Sequence, residues 1–144
     1  MNECNHFLKE IRHQFSVPEK EAGSHSPLTL AYIGDAVYEI IIRTIIVEKK
    51  QGTVRSLHKY SSSLVNAKAQ ADILAAIEGE LSEQEFSIYK RGRNAKPHTV
   101  AKHADVHDYR VATGFEALMG YLYLSGNMER CLQLVKLGLD TISD

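Results

Sequence analysis

Apolar residues recur at helical spacing along nearly the whole chain, and no stretch alternates apolar with polar between tight-turn signals as a strand would. The pattern predicts an all-α fold. Phe7, Leu8, Ile11 and Phe15 form one stripe that stops before Pro18, and the polar stretch from Glu19 to Ser26 makes the first loop. Ser26-Pro27 offers an N-cap with proline at the first helical position, opening a long helix to about Glu48. On that helix Leu30, Ile33, Val37, Ile40, Ile41 and Ile45 cover so much of the circumference that it should run through the middle of the fold, with few faces left for water.

Gly52-Thr53 restarts the chain into a helix around Val54 to Tyr60, and a further helix from Leu64 to Ile77 ends near Gly79. Ser82 followed by Glu85 is a capping box, so a helix begins there and stops near Gly92. From Lys90 to His103 the breaks at Gly92, Asn94 and Pro97 predict a long loop. A helix from about Val106 to Leu124, a Gly126-Asn127 turn and a last helix from Met128 to Ile142 complete about seven helices. The expectation is one domain over residues 1–144, without internal repeats or low-complexity segments.

Charge changes the picture only locally. The 17 basic and 18 acidic residues give a net charge of −1, so the chain as a whole is no polyanion binder and any nucleic-acid surface must be confined to one region. Cys4 and Cys131 lie far apart and outside any metal-ligand spacing, which fits a reducing cytoplasm without a disulfide or structural zinc. The first residues lack the charged head and apolar run of a secretory signal, and no apolar run approaches the roughly 20 residues of a membrane span, so no membrane partner is expected.

Three groups of residues could carry chemistry. Asp35 and Glu39 stand four apart within the apolar helix, so both carboxylates project from one face, as a hard cation would require. Equally, Glu39 could pair with Arg43 and Asp35 could cap a neighbouring helix. Gly34, costly inside a helix, suggests another backbone packed closely there. Glu116 is a lone acid between Phe115 and Leu118, flanked by Gly114 and Gly120; buried there, it must be protonated, paired with an arginine such as Arg110 or Arg43, or bound to a cation. Finally, Lys90, Arg91, Arg93, Lys96 and Lys102, with His98 and His103, form a positive stretch free of acids, suited to phosphates, while Asn94 could read a base edge or a ribose hydroxyl.

Together these residues resemble the ribonuclease III family, which carries a Leu-Gly-Asp signature on one helix and Phe-Glu-Ala-Leu-Ile-Gly on a later one. Here they read Ile33-Gly34-Asp35 and Phe115-Glu116-Ala117-Leu118-Met119-Gly120. The stretches Leu30 to Glu39, Arg91 to Lys96 and Ala112 to Leu118 are similar to the Mini-ribonuclease III subfamily, over nearly the whole chain. The resemblance implies an endoribonuclease that hydrolyses duplex RNA, leaving 5′-phosphate ends, with magnesium as cofactor and manganese able to substitute. It implies Asp35 and Glu116 as catalytic metal ligands, Glu39 as an additional acid, and a homodimer that cuts both strands. Large-subunit (23S) ribosomal RNA precursor is the implied substrate, and help from a ribosomal protein is left open. Two family acids are replaced by Ala31 and Thr113, as in that subfamily, which implies a more hydrated metal site. No separate double-stranded-RNA-binding domain is expected, so Arg91, Arg93, Asn94, Lys96 and Lys102 would grip the RNA, assisted by Lys59 and Lys68. The competing reading is a non-catalytic double-stranded-RNA-binding or ribosome-assembly module, which the missing acids favour.

Overall fold

The fold follows from where each helix finds its cap and its apolar partner. The computed structural model describes residues 3–96 and 105–143, which contain seven α-helices and no strand. They are α1 (Glu3–Gln14), α2 (Pro27–Lys49), α3 (Val54–Val65), α4 (Ala67–Ile77), α5 (Glu83–Asn94), α6 (Val106–Leu124) and α7 (Met128–Ile142). Ser26 caps α2 by accepting from the Thr29 amide at 3.2 Å, with Pro27 opening the helix. The capping box of α5 is complete, Glu85 N–H donating to Ser82 Oγ at 3.1 Å and Ser82 N–H to Glu85 Oε1 at 2.9 Å. The expected helix from Leu64 actually starts at Ala67, because Asn66 ends α3 and caps α4, its side chain accepting from the Ala69 amide at 2.8 Å.

The helix at the centre is α6, not α2. It packs against α2, α4, α5 and α7 and buries Phe115, Leu118, Met119 and Leu122 in the main core. Phe115 is met edge-on by the Tyr38 ring at 5.2 Å, and full burial of such a side chain is worth roughly 2–3 kcal/mol. Around most of α2, Leu30, Val37, Tyr38, Ile41, Ile42 and Ile46 point inward, but one strip stays open: Tyr32 is 82% exposed, Ile40 61% and Val47 62%. Similarly, only Leu8 of the α1 stripe is buried, while Phe7 and Phe15 remain exposed.

The segment after Lys90 differs from the expected long loop. Lys90 to Asn94 are helical, forming the end of α5, and only Ala95 and Lys96 leave the helix before residues 97–104, which lie outside the described residues together with Lys102, His98 and His103. The sequence pattern places a helix stop near Gly92. Gly92 is instead a packing position, where a Cβ would come within 2.8 Å of the Gly114 Cα on α6. The helix keeps glycine there because α6 leaves no room for anything larger.

Candidate active site

The crossing of α2 on α6 builds the site. Where α2 meets α6, a Cβ on Gly34 would overlap the Glu116 carbonyl, and a Cβ on Gly120 would overlap the Leu30 carbonyl. The two backbones are therefore in direct contact, an approach that only glycine permits. Asp35, next to Gly34, and Glu116, whose own carbonyl lies on Gly34, are carried together by this contact. Their carboxyl groups are brought near enough for Asp35 to oppose the charge on Glu116, although the two stand 81 positions apart in sequence.

Partial burial of Glu116 opposes its charge, and the neighbouring Asp35 carboxylate opposes it further, both by repulsion and by accepting the proton that a neutral Glu116 can offer. These effects push Glu116 up to about 8, against a smaller opposing pull from a Gln70 hydrogen bond. The arginine partners that composition allowed are absent: among the described residues no ion pair reaches Glu116, and Arg43 is engaged with Glu39 at 2.6 Å on the exposed side of α2. Glu39 shares the helix face of Asp35, but its carboxylate is held by that guanidinium.

The donor set suits a hard cation. Two carboxylates that cannot both ionise comfortably while touching are relieved by a divalent ion, and neither sulfur nor imidazole joins them. Among the described residues no cluster of three acidic, histidine or cysteine side chains is suited to hold a metal, which leaves two carboxylates. Magnesium accepts such a pair because it keeps several of its own waters. The replaced positions add no ligand: Ala31 is buried beside Leu30, Ile88 and Ala117, and Thr113 donates its hydroxyl to the Tyr109 carbonyl at 2.9 Å.

One participant escaped the sequence reading. Gln70 on α4 is only 2% exposed, and its Nε2 donates to Glu116 Oε2 at 3.3 Å and to the Val65 carbonyl at 3.0 Å. The signal was available, because Gln70, Ile73, Leu74 and Ile77 share one helical face, making Gln70 a polar residue on an otherwise apolar stripe.

The basic residues are distributed along the end of α5. Arg91 reaches back to the segment before α2, donating to the Gly23 and His25 carbonyls at 3.3 Å each. Arg93 lies over the Tyr89 ring at 5.5 Å and donates to Asn94 Oδ1 at 3.4 Å. Arg91, Asn94 and Lys96 are exposed. Lys68 is paired with Asp72 at 3.4 Å, and Cys131 is a free, fully buried thiol, raised by burial to about 12 and so chemically quiet. No described helix is long and apolar enough to cross a membrane.

Known proteins are similar to this chain over most of its length. The Ribonuclease III domain family matches residues 28–127, which hold both members of the acidic pair. The chain is 51% identical to Mini-ribonuclease 3 of Clostridium tetani over 113 residues, 78% of this chain and 75% of that protein. It is 50% identical to Mini-ribonuclease 3 of a Thermoanaerobacter species, over 84% of this chain and 85% of that one, and 54% identical to that of Enterococcus faecalis, over 75% and 83%. The crystal structure of a Fusobacterium nucleatum protein is similar with a TM-score of 0.75 at 31% identity, covering 85% of this chain and 98% of that one. With the family matched across most of its length and the acids at the matched helix crossing, this chain belongs to the ribonuclease III family of endoribonucleases, in its Mini-ribonuclease 3 branch.

Proposed function

We propose that the chain is a magnesium-dependent endoribonuclease of duplex RNA that acts in the cytoplasm as a homodimer of a single catalytic domain. The observation that carries this reading is the Asp35/Glu116 pair on the Gly34/Gly120 crossing, where two carboxylates meet without a protein cation. Asp35 and Glu116 would hold the metal, with manganese able to replace magnesium. When bound, the ion supplies charge neutralisation for the scissile phosphate and makes water acidic enough to attack near neutral pH. The protein's part is to keep both carboxylates fixed, Glu116 through its bond from Gln70, and to align the duplex. Glu39, bound to Arg43, is in reserve at the edge of the site, one helical turn from Asp35.

The exposed strip of α2 supports the dimer. Tyr32, Ile40 and Val47 are exposed apolar side chains on the helix that carries Asp35, and pairing two copies of this helix would bury them and bring two acidic pairs onto one duplex. Exposed Lys96, with Arg91, Arg93, Asn94 and Lys102, would contact the RNA backbone; Arg91 would contribute largely by holding the segment before α2. The substrate class is precursor RNA of the large ribosomal subunit, whose flanks pair into a duplex, with a ribosomal protein as a further candidate partner.

The test is incubation of the protein with a long RNA duplex, with magnesium or chelator, beside Asp35→Asn and Glu116→Gln. Cleavage with magnesium that both variants lose is the expected result. Uncut but retained RNA would instead identify a binding module that kept the fold and lost the chemistry. A parallel assay on paired large-subunit precursor ends, with and without ribosomal protein, tests the substrate.

A further inference from the structure

Gln70 carries one feature that its packing leaves unexplained. Its Oε1 is buried and has no hydrogen-bond partner, the one such side-chain atom found among the described residues. The orientation of the amide is fixed by its surroundings: the Val65 carbonyl can only accept, so Nε2 must face it, and the same nitrogen serves Glu116. Rotating the amide would set two acceptors against one another at the Val65 carbonyl. Oε1 is therefore held as an acceptor without a donor, in the side chain that touches Glu116. A stranded buried acceptor is destabilising, and an apolar side chain of equal length would fill the same space without it.

We infer that Gln70 is the positioning residue of the acidic centre, its Nε2 anchoring Glu116 and its Oε1 accepting from a water in the hydration shell of the bound cation. This rests on the metal-dependent reading above. It supplies from α4 part of what Ala31 and Thr113 no longer supply. Two carboxylates leave most of a magnesium shell as water, and ordering that shell needs acceptors placed just beyond the ion. A carboxamide serves as such an acceptor without adding a third negative charge to the pair.

The test compares wild type with Gln70→Met, which keeps length and volume while removing both polar functions. Manganese binding is measured by calorimetry without RNA, and kcat and KM are measured on duplex RNA. The expected variant melts as high as wild type, binds manganese about tenfold more weakly, loses about tenfold in kcat and keeps its KM. Wild-type manganese affinity and kcat in a folded Gln70→Met would overturn the inference. A second measurement needs no substitution at Gln70: its side-chain amide signal, followed by NMR, should shift when cation is added to wild type and stay still in Asp35→Asn. An unmoved signal in wild type also overturns it. Wild type that neither binds manganese nor cuts duplex would sink the nuclease reading itself, a result distinct from an active wild type beside an equally active Gln70→Met.

Discussion

Replacing Glu116 by glutamine should make the metal-free protein more stable while abolishing cleavage. Glu116 is raised from the usual 4.5 to about 8, so between these values the native state keeps a proton that the unfolded chain releases. Stability is therefore fullest below about pH 4.5 and is lost steadily as pH rises toward 8. At about 1.4 kcal/mol per pH unit, the loss reaches roughly 3 kcal/mol at pH 7 and about 4 kcal/mol at pH 8. A glutamine has no charge to bury, and its amide can still accept from Gln70 and donate to Asp35. The substitution should thus stabilise by about 3 kcal/mol at pH 7 in chelator and by little at pH 4. Urea unfolding of both proteins at pH 4, 5.5, 7 and 8 measures this directly. Magnesium at pH 8 should narrow the gap by stabilising wild type alone, since a cation replaces the proton. A gap that is absent, or independent of pH in chelator, would show that Glu116 is solvated rather than pressed against Asp35.

Gly34→Ala should cost about 3 kcal/mol and remove cleavage, because its Cβ would collide with the Glu116 carbonyl and drive α2 away from α6; wild-type stability in urea would contradict the crossing. Arg130→Met should cost about 2 kcal/mol at pH 7, since Glu85 is buried and accepts from Arg130 Nε and Nη2 at 2.9 Å each. Arg130 holds Glu85 below the usual carboxylate range, so the difference from wild type should be full above that range and vanish as unfolding is measured at falling pH. Glu39→Gln breaks an exposed pair with Arg43 and should change stability by no more than about 0.5 kcal/mol and cleavage little; a loss of about tenfold in kcat would bring Glu39 into the metal site.

Local structure was legible from neighbouring residues alone. Caps and breaks are written in consecutive residues, so Ser26-Pro27, the Ser82/Glu85 box and the Gly126 turn were legible, and with them the all-helical class. The motif pair around Asp35 and Glu116 was legible through its resemblance to the family signatures, whereas spacing alone left each acid open to a salt bridge. What one helix does to another was not. Gly92 reads as a stop until α6 is seen pressing against it, and α2 reads as central until α6 takes that place and leaves Tyr32, Ile40 and Val47 outside. Whether Glu39 faces a metal or an arginine depends on rotamers that spacing does not fix. Only tertiary structure could join Gln70 to Glu116, because the 3.3 Å between them spans α4 and α6 and exists solely through the packing of those helices. Local signals set each helix, and backbone contact at glycine decides which side chains meet.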